Sequence, residues 1–115
     1  MTSVGRWTSA ITCAIQAAEK TSKLAIGVDS DQYDESPGHV LTSMIKRVDV
    51  AVFETIREVK ENRWTGGVHT FGLKEKGVGW VYDDRNKALI PDPIKATVDS
   101  LEAEIVAGRI AIPTE

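Results

Sequence analysis

Residues Leu24–Gln32 have the sequence LAIGVDSDQ, and this stretch decides the fold. An apolar run from Leu24 to Val28 ends abruptly in four polar residues that begin with Asp29. A short apolar run of this kind predicts a strand that is buried on both faces of a parallel sheet. The polar residues then follow the carboxyl end of that strand, where open α/β sheets bind ligands. The stretch therefore predicts an α/β fold with a small-molecule site and no obvious nucleophile.

The composition limits the classes of partner. The 115 residues suit one domain or a part of one, and 14 basic against 17 acidic residues give a net charge of −3. A mildly acidic chain without a clustered basic face is not expected to bind nucleic acid. No apolar run approaches the roughly 20 residues that cross a bilayer. The start, MTSVGRWTSAIT, lacks the pattern of a signal peptide, so the compartment stays open.

Helical periodicity predicts a first and a last helix with clear ends. The first begins near Ser9 and carries Cys13 in its apolar pattern, which predicts a buried, inert thiol. The last opens at Asp92-Pro93, an N-cap followed by proline in the first turn, and Gly108 ends it.

A further helix is predicted in the middle of the chain, from about residue 49 to residue 63. Asp49 is its expected N-cap, and the pair Gly66-Gly67 is expected to stop it. Its apolar side chains recur at helical spacing along one stripe, at Val52, Phe53, Ile56 and Val59.

Three more segments have strand character. Val40–Ile45 predicts a second strand, and Val68–Leu73 alternates apolar and polar residues as a third strand would. Val78–Tyr82 is expected to be a fourth strand or the partner of a hairpin.

Three ordered blocks carry a family resemblance: IGVDSDQ at 26–32, PGHVLTSMIKRVDVAVFETI at 37–56 and GGVHTFGLKEKGVG at 66–79. They resemble the carboxyl-terminal part of the basic membrane protein family. These are bacterial substrate-binding lipoproteins that serve ABC transporters, and several bind purine nucleosides. The resemblance runs from about Lys23 to Pro113 and is looser over residues 10–22. Residues 1–9 do not share it and are expected to form a loose N-terminal segment.

The resemblance implies a three-layer α/β/α partial lobe of a type I periplasmic-binding-protein-like fold, with residues 10–115 as the carboxyl-terminal part of the domain. Family members are considerably longer, and they enclose the ligand between two hinged lobes. This chain would contribute to both lobes, but it lacks the lipobox and most of the first lobe. It is therefore expected to be a fragment or truncated product, or to complete itself as a homo-oligomer by exchanging elements.

The implied function is capture of a purine nucleoside or a related small solute for an ABC importer, with an ABC permease as the partner of full-length relatives. Those relatives are membrane-anchored extracytoplasmic lipoproteins. No enzymatic activity and no cofactor are expected. The alternative is a cytosolic regulatory or protein-interaction module of the same fold, whose uncovered helix faces would bind the partner.

The resemblance also implies ligand-binding residues. Asp29 is expected to accept hydrogen bonds from ribose hydroxyls, although a strand-end aspartate also commonly caps a turn. Asp31 and Gln32 would extend the polar rim. Lys74 resembles a family lysine that reaches the ligand from the hinge, and the alternative is a solvated turn lysine. Gly77 follows in the same turn and is counted with this set for the backbone geometry that it allows.

Other site chemistries have weak support. His39 and His69 have no cysteine or histidine at metal-ligand spacing, so no metal site is expected. No serine lies in a GxSxG context, and no catalytic residue is assigned. The spacing of Asp29 and Asp31 would suit a carboxylate dyad on one strand face, but the sequence shows no environment that would keep either acid protonated, so no hydrolase activity is expected.

Overall fold

The computed structural model describes residues 9–113, so the segment expected to be loose, residues 1–9, lies almost wholly outside it. The elements are α1 (Ser9–Lys20), β1 (Ala25–Asp29), a short 3-10 helix (Tyr33–Glu35), β2 (Val40–Lys46), α2 (Val48–Lys60), β3 (Val78–Trp80) and α3 (Asp92–Val106). Within the described range, no helix combines the length and apolarity that a membrane span needs.

The chain divides into two compact units. The first unit comprises the residues up to Ile45 together with Trp80–Pro91, and the second comprises Lys46–Gly79 together with the residues from Asp92 onward. The chain therefore passes between the units three times: within β2, within β3 and at the start of α3.

The three strands form one mixed sheet in the order β1-β2-β3. β1 and β2 are parallel, as the sequence predicts. Arg47 N–H donates to the Gly77 carbonyl over 2.7 Å, and Val81 N–H donates to the Ser43 carbonyl over 3.0 Å. In these two bonds the higher residue number on the β2 side, 47, pairs with the lower number on the β3 side, 77, so β3 is antiparallel to β2.

The prediction that β1 is buried on both faces is wrong for the described residues. Ile26 is 59% exposed, whereas Gly27, the next residue, is buried. β1 lies at one edge of the described sheet, and Gly27 is its one buried residue. Successive residues of a strand point to opposite faces, which is why adjacent residues differ so sharply.

The core of the first unit is small and apolar. Among the residues whose burial the structure describes, four hydrophobic side chains are buried: Ile15 and Ala18 of α1, Val40 of β2, and Ile90. The prediction of a buried thiol is wrong, because Cys13 is exposed. Two helical residues correspond to a rotation of about 200°, so Cys13 lies opposite Ile15 on α1.

α2 begins directly after β2 and does not use the predicted cap. Arg47 is the N-cap residue and makes no side-chain capping bond, while Asp49 lies in the first turn. The prediction of Asp49 as the N-cap is therefore wrong. A single residue separates β2 from α2, which leaves no space for a longer capping segment. The Asp49 carboxylate still favours the positive end of the helix.

The three α-helices within residues 9–113 end in the same backbone motif. The residue two positions past each helix has a left-handed φ: 54° at Ser22, 56° at Asn62 and 78° at Gly108. Behind α2, Asn62 N–H donates to Val59 O over 3.1 Å and Arg63 N–H donates to Glu58 O over 2.9 Å. This pair of bonds defines the Schellman motif.

The two glycine predictions for helix ends differ in outcome. Gly108 ends α3 as predicted, whereas the expectation that Gly66-Gly67 stops α2 is wrong. Asn62 ends α2 earlier, because a short polar side chain tolerates the left-handed conformation better than most residues do.

The segment Val68–Leu73 is irregular, so the predicted third strand is wrong. Val68 is 97% exposed. Gly72 N–H donates to Glu75 Oε2 over 2.8 Å, and Gly72 O accepts from Gly77 N–H over 2.9 Å. The backbone bonds of this segment are therefore local turn bonds, and alternation alone forms no strand without a neighbouring ladder.

The helix ends generate a stability prediction. Gly108→Ala places a Cβ at a left-handed φ and is expected to destabilise the chain by about 1 kcal/mol, whereas Asn62→Gly relieves that strain and stabilises it by about 0.5 kcal/mol. Gly66→Ala is the control, because its Cβ would meet only Trp64 at 3.9 Å. Urea denaturation measures all three. Equal effects at Gly66 and Gly108 would contradict the assignment of the motif.

Candidate functional site

The segment 29–35, which we call the edge loop, leaves the carboxyl end of β1. Asp29 pairs in register with Ile45 of β2 and is exposed. Its φ of 74° lies in the left-handed region, which turns the chain sharply out of the strand. Aspartate is one of the few residues that adopts this conformation at moderate cost. The first predicted ligand residue therefore stands in solvent at the edge where ligands of α/β sheets bind.

Gln32 fixes the middle of the edge loop. Its side chain is buried at 5% exposure, and Oε1 accepts a hydrogen bond from Val28 N–H over 2.9 Å. Its own N–H donates to Ser43 Oγ over 3.1 Å. A Cβ on Gly27 would lie 2.9 Å from that Oε1 and would overlap Ser43 Oγ, so any larger residue there would force both side chains out of this arrangement. The side-chain oxygen of Gln32, another predicted ligand residue, is thus already hydrogen-bonded to the backbone.

Asp31 is engaged by an arginine that lies far away in the sequence. Arg85 Nη2 donates to Asp31 Oδ2 over 2.5 Å, and Tyr33 N–H donates to Asp31 Oδ1 over 3.1 Å. The same Nη2 donates to Asp83 Oδ2 over 2.6 Å, and the guanidinium carbon lies 4.8 Å from the centre of the Tyr33 ring. We call these four residues, Asp31, Tyr33, Asp83 and Arg85, the Arg85 clasp.

Asn86 anchors the clasp to the sheet. Its Oδ1 accepts from Asp83 N–H over 2.9 Å, and its Nδ2 donates to Leu41 O and Val81 O, each over 2.9 Å. Asn86 is only 2% exposed, so these bonds satisfy a buried amide. The cavity beside the clasp measures about 10 Å³, which is room for one water and not for a ligand.

The clasp also sets the electrostatics of its members. The hydrogen bonds from the Arg85 side chain, followed by its backbone N–H, hold the pKa of Asp83 below its ordinary value of 3.8. Conversely, the bonds to Asp83 and then to Asp31 raise the pKa of Arg85, which stays fully charged. Both carboxylates of the clasp thus have a permanent cationic partner.

Asp29 differs from Asp31 in this respect. Within residues 9–113, its carboxylate takes part in no hydrogen bond or ion pair. Two neighbouring acids therefore have different surroundings: one neutralised by arginine, and one open to solvent.

The second unit contains a larger cleft of about 450 Å³, which lies within the range of small-molecule sites. Its lining combines cationic groups with an aromatic ring and small residues: Lys46, Arg47, Val48, Ala51, His69, Thr70, Phe71, Gly77 and Val78.

Of the sequence-predicted residues, Gly77 lines this cleft and is buried. A Cβ there would lie 2.8 Å from the Phe71 carbonyl carbon, so the backbone approach requires glycine. Lys74 lies nearby in the sequence, on the exposed turn 73–76. No hydrogen bond or ion pair to its ammonium is found in the described part of the chain.

Sequence reasoning missed Arg85, Asn86 and the cationic pair Lys46-Arg47. The segment that carries Arg85 has the composition of an ordinary turn, and its contact with Asp31 spans 54 positions, so no local signal reveals it. Lys46 and Arg47 could have been found as the residues at the carboxyl end of β2. No cluster of three potential metal ligands occurs within residues 9–113.

Comparison with known proteins identifies the class. The chain matches the Bmp family, described as ABC transporter substrate-binding protein PnrA-like, over residues 6–115. It is 35% identical over 104 residues to basic membrane protein A of Borreliella afzelii, covering 87% of this chain and 31% of that protein. It is 49% identical over 61 residues to an uncharacterized lipoprotein of Pyrococcus furiosus, covering 53% of this chain and 15% of that protein.

The fold agrees with this class. The chain superposes with a TM-score of 0.67 on an ABC transporter solute-binding protein from Aeropyrum pernix K1, at 24% identity, covering 94% of this chain and 38% of that one. The chain thus has the α/β fold of solute-binding proteins. It belongs to the Bmp family of substrate-binding transport proteins, which are not enzymes. It spans less than a third of the length of the curated relatives named here.

The lowered pKa of Asp83 predicts a pH dependence. Because its folded pKa lies below the unfolded value, the stability that it contributes is complete above pH 3.8 and is lost as the pH falls through the folded pKa. In a thermal-unfolding series from neutral to acidic pH, Asp83→Asn should therefore lose less stability below pH 3.8 than the unsubstituted chain does. Parallel curves for the two proteins would contradict the assignment.

Proposed function

We propose that this chain carries part of the binding site of an ABC-importer substrate-binding protein for a purine nucleoside or a related solute. The observation that carries the proposal is the exposed Asp29 carboxylate, which has no partner within residues 9–113 and stands at the last position of β1, where α/β sheets bind ligands. The family match supports the coarser role, and the nucleoside comes from the resemblance of the 26–32 block.

A vicinal diol suits Asp29 chemically. An ionised carboxylate offers only acceptor sites, about four lone pairs, so two ribose hydroxyls can donate to it together. Hydrogen bonds to a charged group are stronger than neutral ones. Asp31, whose two oxygens are engaged by Arg85 and Tyr33, and Gln32, whose carbonyl oxygen is engaged by Val28, would form the fixed rim of the site.

Lys74, which lies in the second unit, is proposed as a residue that binds the solute. Its ammonium is exposed on a turn, and it could donate three hydrogen bonds to hydroxyl oxygens of the solute. Gly77 would contribute by letting the backbone pass close to Phe71 beside the cleft of the second unit. Both assignments rest on the resemblance of the 66–79 block.

Capture by full-length relatives would be a ligand-driven shift between open and closed populations. Three passages of the chain between two compact units support a hinge at those passages. The chain alone is expected to bind weakly, since small-molecule sites usually bury most of the ligand surface.

Nucleoside titration tests the proposal. Adenosine, guanosine, inosine and free ribose are added to millimolar concentration while amide chemical shifts are followed by NMR. The nucleosides should shift the edge-loop amides, and Asp29→Asn should weaken the affinity by roughly 10- to 100-fold, the equivalent of hydrogen bonds to a charged group. Asp34→Asn, which removes an exposed acid from the same loop, is the matched control. Unchanged shifts with every nucleoside would refute the proposal for this chain.

We also propose that the chain associates with a second copy of itself through α2. Helix α2 has no buried residue, and its apolar stripe is open to solvent: Val48, Val52, Phe53, Ile56 and Val59 are each more than half exposed. Contiguous exposed apolar side chains of this kind mark interfaces. The same face would serve the alternative function, a regulatory or protein-interaction module, if nucleosides do not bind.

Analytical ultracentrifugation at micromolar concentrations tests the association. The chain is expected to sediment as a dimer or larger species, and Ile56→Glu should shift it towards the monomer by placing a charge in the apolar stripe. Val68→Glu is the matched control, because Val68 is 97% exposed on an irregular segment that is not part of α2. A monomer at all concentrations would exclude this interface, and a nucleoside-insensitive dimer would favour the interaction module.

A further inference from the structure

We propose that Arg85 is a positioning residue that holds the edge loop, and with it Asp29, in the geometry that receives a ligand. This inference rests on the proposed solute site at Asp29 and adds a residue to it that the sequence does not reveal. Arg85 touches no proposed ligand residue except Asp31, so its effect on the ligand would be indirect.

The edge loop is fixed at several points by side chains. At its middle, Gln32 Oε1 accepts from Val28 N–H, and Gln32 N–H donates to Ser43 Oγ. Next to it, Arg85 binds the Asp31 carboxylate and covers the Tyr33 ring. Gln32 and Ser43 belong to the loop and its sheet, whereas Arg85 comes from a different segment of the chain. It is therefore the contact that ties the exposed side of the loop to the rest of the first unit.

Arg85 itself is held rigidly. Its Nε donates to Asp83 Oδ2 over 3.0 Å, and its backbone N–H donates to Asp83 Oδ1 over 2.9 Å. Asp83 is in turn bound by the buried Asn86, which donates to the strand residue Leu41. A chain of hydrogen bonds thus runs from the sheet to the edge loop, and each member has a fixed geometry. Lysine could not reproduce it, because an ammonium lacks the planar fork of a guanidinium.

The Arg85 clasp contributes little to the free energy of unfolding of the whole chain. The side chains of Arg85, Asp31 and Asp83 are 40%, 34% and 38% exposed, and ion pairs at such exposure contribute little to folding. The free energy of opening the edge loop differs from that of global unfolding, because exposed loops open independently of the rest of a protein. The clasp therefore matters for the population of the ordered edge loop.

Local order matters at Asp29 because its backbone is in a strained conformation. A left-handed φ of 74° persists in a non-glycine residue when neighbouring contacts enforce it. When the loop is ordered in only a fraction of molecules, the apparent affinity for a ligand falls by that fraction. Releasing Arg85 should thus weaken nucleoside binding without removing any ligand contact.

Amide hydrogen exchange on the complete chain tests the positioning role directly. In Arg85→Gln, the Tyr33 and Gln32 amides should exchange about tenfold faster, with an unchanged urea midpoint, and Arg85→Lys should restore only part of the protection. Arg63→Gln is the matched control, because Arg63 also bonds a carboxylate two residues earlier, Glu61, but lies in the second unit. Unchanged exchange in Arg85→Gln would overturn the inference whatever the binding data show.

Adenosine titration of the same variants, followed by NMR, separates the two proposals. Arg85→Gln is expected to raise the dissociation constant about tenfold while Arg63→Gln leaves it unchanged. If the unsubstituted chain binds adenosine and Arg85→Gln binds it equally well, the inference fails and the solute site stands. If the unsubstituted chain binds no nucleoside but its edge loop loosens in Arg85→Gln, the solute site fails and Arg85 still positions the loop.

Discussion

The parallel pairing of β1 and β2, locked by Gln32, is the constraint on which the first unit depends. The Gln32 side chain folds back onto the Val28 N–H while its backbone N–H reaches Ser43 on the neighbouring strand. The bond to Ser43 is buried and the bond from Val28 is partly buried, and a buried polar group left unpaired costs about 1–3 kcal/mol. The glycine at position 27 is what allows the approach, because any larger residue would displace both partners. Asp29 is thereby placed at a sharp turn at the sheet edge.

Two acids in one short loop have separate physical roles. Asp31 is neutralised by Arg85 and serves as a structural tie, whereas Asp29 faces solvent without a partner in the described range. A carboxylate that is already paired with arginine would have to give up those bonds before binding a sugar. An unpaired carboxylate has to give up only its hydrogen bonds to water. The difference explains why Asp29 is the stronger ligand candidate, although the DSD pattern treats the two residues alike.

The two units differ in how completely they are buried. In its described part, the first has four buried apolar side chains, Ile15, Ala18, Val40 and Ile90, whereas neither α2 nor α3 of the second has any buried residue. A helix with an apolar stripe derives most of its stability from burying that stripe. The apolar stripe of α2 therefore gains little of this stabilisation within the described residues, and the relatives extend well beyond the part that this chain matches.

Sequence by itself determined the features that depend on short-range physics. The apolar run before Asp29 gave the first strand, the Asp92-Pro93 pair opened α3, and Gly108 ended it, because propensity and backbone sterics act within a few residues. The ordered blocks also carried the family resemblance, which the match over residues 6–115 confirms.

Tertiary structure decided the rest. The alternating segment Val68–Leu73 formed no strand because no neighbouring strand pairs with it in the described structure. Cys13 is exposed because the opposite face of α1, which carries Ile15, is the buried one. The bond from Arg85 to Asp31 joins residues 54 positions apart, so it depends on how the strands between them are ordered in space. Local patterns fix the elements, whereas only the folded chain determines which distant charges meet.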